Sequence, residues 1–307
     1  MTRTWGDEHF LGAVGPGTGD AQVTVRAVRP VGREEWERLV QASYITSRFR
    51  PIRVFADLKD AHERLVVSVG RVEVAAFREA RFLSEDVRRL EGSMREWLTQ
   101  FRAFEDHTKS AISECFGEDL SLKNTVNNVF SAEYDTNLAY RLACALRNVS
   151  QHRGRVINGS RLTTREAEPR VDLFLGFDCR ALAAANKRLS ARIRGELSAI
   201  DEPLSLRLVI DSVMLGCERI LGSILLAIND LLMTEADFIE GLHQEATGTS
   251  DEDSALMEVI TDATGKISSM KRSHIPDGVR ANIEKTHSEC AYLLSMPKRA
   301  VEVGHLT

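Results

Sequence analysis

Apolar residues recur at helical spacing through most of this chain. From about Val72, the residues Phe77, Phe82, Val87, Leu90, Met94, Leu98 and Phe101 succeed one another at steps of three to five, which lays an apolar stripe along a helix. Ser84-Glu85-Asp86 marks a place where that helix is interrupted or recapped. The same pattern predicts helices over Leu122 to Phe130, over Asp135 to His152, over Arg180 to Ile200 behind an Asp178 cap, and from Leu204 behind Asp201-Glu202-Pro203. That last start is well marked, because acids favour the positive end of the helix dipole and proline fits a first turn. The most apolar run, Leu208 to Met233, carries Asp211, Glu218, Arg219 and Asp230. Charges at bilayer depth are costly, so it reads as a core helix and no membrane partner is expected.

Departures from this period set the rest of the organisation. Residues 1–20 hold five glycines and read as a flexible tail, and the run Gly12, Gly15, Gly17, Gly19 lacks the Gly-Lys-Ser/Thr that a phosphate loop needs. Alternation over Gln22 to Val28 predicts a short strand ending at Pro30, followed by a helix through Trp36, Leu39 and Val40. Between His152 and Asp178, Gly154, Asn158-Gly159 and the alternating Val171 to Leu175 predict a loop with one hairpin. Residues 245–253 read as a polar linker, with Ser250 and Asp253 forming a capping box for a further helix, and Pro276 precedes a last helix over Val279 to Leu294. The expected fold is therefore mainly α. It divides into a tail (1–20), a mixed α/β segment (21–71), a long-helix domain (72–245) and a C-terminal helical extension (246–307).

Composition narrows the function classes. A net charge of −5 over 307 residues argues against indiscriminate binding of nucleic acid or membrane by the whole surface. Any basic site has to be local. The five cysteines are scattered without a Cys-x-x-Cys pair, which suits a reducing compartment and offers no zinc clamp. The first residues carry acids where a secretory leader needs a basic and then an apolar stretch. A cytoplasmic location is the resulting expectation, and no metal or other cofactor is called for.

The local basic site lies between Arg141 and Arg165. Six arginines, Arg141, Arg147, Arg153, Arg155, Arg161 and Arg165, occur there without an acid. Arginine can grip phosphate oxygens with a planar fork and stack on bases. The alternative is a solvated loop whose arginines pair with acids elsewhere. At about 100° per residue, Leu138, Leu142, Ala145, Leu146 and Val149 share one face of the helix that opens this segment, while Arg147 and Gln151 point away. Asn148 and His152 form an i,i+4 pair, so the amide can reach and orient the imidazole.

Arg147-Asn148-x-x-x-His152 resembles the Arg-x(4 to 6)-His motif of HEPN (higher eukaryotes and prokaryotes nucleotide-binding) domains, in which Asn often follows the Arg. The resemblance extends over residues 72–240 as an arrangement of long helices, the motif helix and an arginine-rich excursion. It implies a HEPN-like helical bundle and a metal-independent endoribonuclease acting as a toxin or antiphage effector. Arg147, Asn148 and His152 would be catalytic, with Arg141, Arg153, Arg155 and Arg161 holding RNA, tRNA being one candidate. It further implies a homodimer in which two motifs face each other, and an antitoxin or defence-system partner protein. The alternative function is a non-catalytic helical module that binds RNA or a protein.

Other constellations carry less. Glu105-Asp106-His107 brings carboxylates and an imidazole together in sequence, but adjacent residues on a helix diverge and a metal needs three or four converging ligands. Tyr134 and Tyr140 could stack a base near Arg147, although such residues more often pack. No Gly-x-Ser-x-Gly or His-Glu-x-x-His occurs.

Overall fold

The structure is a computed structural model that describes residues 9–16, 23–47, 50–79, 82, 84–117, 119–153, 156–165, 170–186, 189–248, 253–261, 267–275, 279–281, 283–285 and 288. The mainly α expectation holds. Long helices dominate, beside two small antiparallel sheets. The described residues divide into two compact units, one within 1–49 and 225–291 and the other within 50–224.

The first unit is a four-stranded sheet packed on helices. Its strands are β1 (His9–Pro16), β2 (Val23–Pro30), β6 (Asp253–Thr261) and β7 (Ile267–His274), in the order β2-β1-β6-β7. Two expectations fail here. The segment read as a flexible tail contains β1, a central strand with Leu11, Ala13 and Val14 buried. A strand covered on both faces has no clean alternation to read, and glycines obscure the rest. Gly12 is required by close packing, since a Cβ there would strike the Met257 side chain and lie 2.9 Å from the Arg26 carbonyl oxygen. The second failure is the helix expected behind Ser250 and Asp253. Asp253 opens β6, whose Ala255, Leu256 and Met257 are buried. Among the described residues the C-terminal extension is thus largely a hairpin, with helical backbone at 279–281 and 283–285. Ser250 and Pro276 lie outside the described residues.

Helix α1 (Arg33–Ser47) and the end of α8 (Leu206–Thr247) supply the helical side of this core. Leu39, Ala42, Ala236, Ile239, Leu242 and Ala246 meet Leu11, Val31, Leu256 and Ile275 in one apolar cluster. Arg29 bridges Glu35 and Glu245 at 2.5 Å each. Those hydrogen bonds raise the guanidinium pKa and lower that of Glu245.

The second unit is built on α2 (Arg50–Glu79) and α3 (Ser84–Cys115), which pack along each other. The boundary expected at residue 72 falls inside α2, whereas the break expected at Ser84 is where α3 starts. Helices α4 (Leu120–Thr136) and α5 (Leu138–Arg153) pack against α3. Aromatic contacts fill the seam, with Phe101 edge-on to Tyr140 at 5.0 Å and Phe104 tilted against Phe130 at 6.1 Å. The strands β3 (Gly159–Arg165), β4 (Arg170–Phe177) and β5 (Leu204–Ser205) form the second sheet, which confirms the hairpin excursion. Gly176 allows β5 to close on β4, because a Cβ there would collide with the Leu204 carbonyl oxygen. The single helix expected over Arg180 to Ile200 is two, α6 (Cys179–Ala185) and α7 (Ala191–Ser198), capped by Asp178 and Ser190. No helix among the described residues is long and apolar enough to cross a membrane.

Candidate nucleic-acid interface

The arginine-rich segment begins on α5, which starts where α4 ends. Asn137 serves both, accepting from the Tyr140 N–H at 3.2 Å while its amide donates to Glu133 at 2.7 Å and to the Ser212 carbonyl at 3.2 Å. Glu133 is buried and also receives Arg219 at 2.5 Å. Gly216 makes the room, since a Cβ there would lie 2.6 Å from the Glu133 carboxylate. These contacts fix the start of α5, and Tyr140, Leu142, Ala143, Ala145 and Leu146 bury its core face.

Arg141 does not stand with the RNA-binding residues expected of it. It is 6% exposed, donates to Glu196 of α7 at 3.0 Å, and donates to the carbonyls of Tyr134 and Asp135 at 2.6 and 2.8 Å. The physical reason is that the last carbonyls of a helix lack partners. Arg141 satisfies those of α4, so its fork is spent inside the protein. Tyr140 is likewise a core residue, and burial raises its phenol pKa.

Farther along, the helix holds its period to Arg153. Arg147, Asn148 and His152 therefore sit in its last two turns, with Asn148 and His152 one turn apart on the backbone. Arg147 is half-buried, and its carbonyl accepts the Ser150 hydroxyl at 2.7 Å. The side chains of Asn148, His152 and Arg153, and the whole of Arg155, lie outside the described residues. Arg161 is exposed on β3, opposite Phe174 of β4.

The chain beyond α5 is pinned from below. Val156 and Ile157 are buried, and both of their N–H groups donate at 3.0 Å to the two carboxylate oxygens of Glu91 on α3. Asn158 then closes the base of the hairpin, accepting the Asp178 N–H and donating to the Asp178 carbonyl, both at 3.1 Å. Glu91 thus ties the segment before β3 to α3, and Asn158 ties it to the residue that follows β4. Sequence reasoning missed Glu91, although a signal was present: it occupies a stripe position between Val87 and Met94, where only a buried carboxylate with dedicated donors belongs.

The Glu105-Asp106-His107 triplet diverges as expected of neighbours on a helix. Glu105 pairs with Arg102 and Lys109, Asp106 pairs with Arg102, and His107 is exposed. Among the described residues, no group of three or more His, Cys, Asp or Glu is placed to hold a metal. Cys144 on α5 is shielded, and burial pushes its thiol up to about 12, which keeps it from acting as a thiolate.

Comparison of the chain with family models, curated proteins and solved structures returns no match. Function has to be argued from the residues alone.

Proposed function

We propose that this protein binds RNA through the end of α5 and the β3-β4 hairpin, and cleaves it without a metal in the manner of the HEPN-like motif. The observation that carries the reading is the run from residue 146 to 165. It holds Arg147, Arg153, Arg155, Arg161 and Arg165 and no acid, in a chain of net charge −5. The Glu91 clamp supports it by holding the chain just before β3 against α3.

In the proposed reaction the RNA 2′-OH attacks the adjacent phosphorus and the bond to the 5′-oxygen breaks. One imidazole takes the 2′ proton and a second group returns a proton to the leaving oxygen. His152 is assigned the proton transfer, Arg147 the charge on the phosphorane, and Asn148 the orientation of the imidazole. A single His serves one of the two transfers, so the proposal includes a second copy of the motif from a dimer. The products are a 2′,3′-cyclic phosphate and a 5′-OH. A role as a toxin or antiphage effector with a neutralising or defence-system partner belongs to the same proposal.

The test is incubation of total RNA and tRNA with the protein in EDTA. Cyclic-phosphate ends are expected with the wild type and not with Arg147→Ala or His152→Ala. Cleavage that continues unchanged in both variants removes these residues from catalysis. A second reading, binding without cleavage, draws on the same run of arginines. Salt-sensitive RNA binding with no cyclic-phosphate product would select it.

A further inference from the structure

Asn158 and Gly159 stand where the chain enters β3, and the fold has a use for each. Asn158 is exposed, and its side chain pairs with both backbone groups of Asp178: Oδ1 accepts the N–H and Nδ2 donates to the carbonyl, each at 3.1 Å. Gly159 sits against the same residue. A Cβ there would lie 3.0 Å from the Asp178 nitrogen, 3.1 Å from the Phe174 ring and 3.2 Å from the Gly176 carbonyl oxygen, so any side chain would crowd the hairpin base. A short amide followed by a residue without Cβ is what this corner requires.

That dipeptide is chemically labile. The backbone nitrogen that follows an asparagine can attack the side-chain amide carbon, and glycine hinders the attack least because it has no Cβ and turns freely. Of the nine asparagines in the chain, Asn158 is the only one followed by glycine. Asn124, Asn127 and Asn128 are also exposed, but they lie inside α4, where the helical ladder fixes the nitrogens that follow them. Asn158 instead sits beside the first pair of β3 with β4, Gly159 with Gly176, and the ends of elements open more readily than their middles.

We infer that Asn158 is a modification site at which the chain deamidates without an enzyme. The Gly159 nitrogen bonds to Asn158 Cγ and gives its proton to solvent, the Cγ–Nδ2 bond breaks, and Nδ2 takes up a proton and leaves as ammonia. A succinimide ring remains. Water then adds to one of the two ring carbonyls and breaks its bond to the ring nitrogen, which yields either an aspartate or an isoaspartate whose backbone runs through the former side chain. The Asp178 N–H already points at Oδ1, the atom that carries negative charge while Cγ is tetrahedral. This goes beyond the RNA reading and does not depend on it.

The product loosens the base of the hairpin. An ionised acid at 158 has no N–H for the Asp178 carbonyl and sets a negative charge against that oxygen. It is also the first acid in the run from 146 to 165.

Ageing of the full chain at mildly alkaline pH tests this, with peptide mass spectrometry reading the amide-to-acid mass gain at each asparagine and enzymatic methylation reading isoaspartate. The same chain unfolded in guanidinium chloride gives the intrinsic rate. In the folded chain the Nδ2 bond and the first ladder pair must open, at up to about tenfold each, so Asn158 is expected to convert within about a hundredfold of the unfolded rate. It is also expected to convert ahead of Asn124, Asn127 and Asn128. A folded-state rate below that bound, or any α4 asparagine converting first, overturns the site. Asn158→Asp copies the acid product in an ordinary backbone and is expected to lower Tm by about 2–6 °C. An unchanged Tm overturns the loosening.

Discussion

Replacing Glu91 tests whether the clamp beneath the hairpin exists. Glu91 is 7% exposed, and its carboxylate accepts two buried backbone N–H groups, each at 3.0 Å. A hydrogen bond to a charged group contributes about 1.5–3 kcal/mol net, and an orphaned buried donor costs about 1–3 kcal/mol. Glu91→Ala removes both acceptors and leaves both N–H groups dry, for an expected loss of about 3–5 kcal/mol. That is a large share of a typical domain's 5–15 kcal/mol. Glu91→Gln keeps the shape and one acceptor but turns an NH₂ towards the second donor, so about 1.5–3 kcal/mol is expected. Urea unfolding gives the totals. Hydrogen exchange gives the location, because a 3 kcal/mol loss speeds exchange by about two orders of magnitude at 1.4 kcal/mol per tenfold. The amides of Val156 and Ile157 should accelerate in the order Ala, then Gln, then wild type. If both amides keep their wild-type rates and Glu91→Ala loses less than about 1 kcal/mol, the clamp is wrong.

Three further outcomes are expected. Arg141→Ala should destabilise by about 1–3 kcal/mol by stranding the Tyr134 carbonyl, while Arg192 still reaches Glu196 and the Asp135 carbonyl. Arg141→Lys should recover little of that in thermal melts, because an ammonium cannot reproduce the fork. Burial raises the Glu218 carboxyl pKa against the lowering effects of Lys59, His62 and Arg219. A carboxyl with a raised folded pKa favours the folded state below its unfolded pKa and loses that contribution as pH rises through the folded value. Glu218→Gln should therefore raise Tm near pH 7.5 and give no gain at about pH 4; a gain at acid pH alone would contradict the sign. Gly176→Ala should cost about 2 kcal/mol or more by forcing β5 off β4, read by equilibrium unfolding.

How much of this was legible depended on whether a residue's partners are near it in sequence. The amphipathic stripe of α3, the Asp178 cap and the hairpin after α5 follow from local spacing, and all three are present. β1 was hidden because a central strand is apolar on both sides and its Gly12 answers to Met257, more than 200 residues away. The fate of Arg141 was hidden for a related reason. Charge counting treats every arginine alike, whereas Glu196 and the end of α4 decide which way this one turns. The break between α6 and α7 falls in a segment whose period is nearly continuous, with no proline to announce it.

The sheet order β2-β1-β6-β7 also constrains the timing of synthesis. On the ribosome, β1 and β2 emerge together, but β1 keeps one edge open until β6, beginning at Asp253, has been made. At about 5–20 residues per second that wait lasts roughly 10–50 s, during which residues 50–224 are also made. A nascent chain stalled before Asp253 would carry an unfinished N-terminal hairpin, whose exposed edge is the part most open to chaperones or to mispairing with another chain.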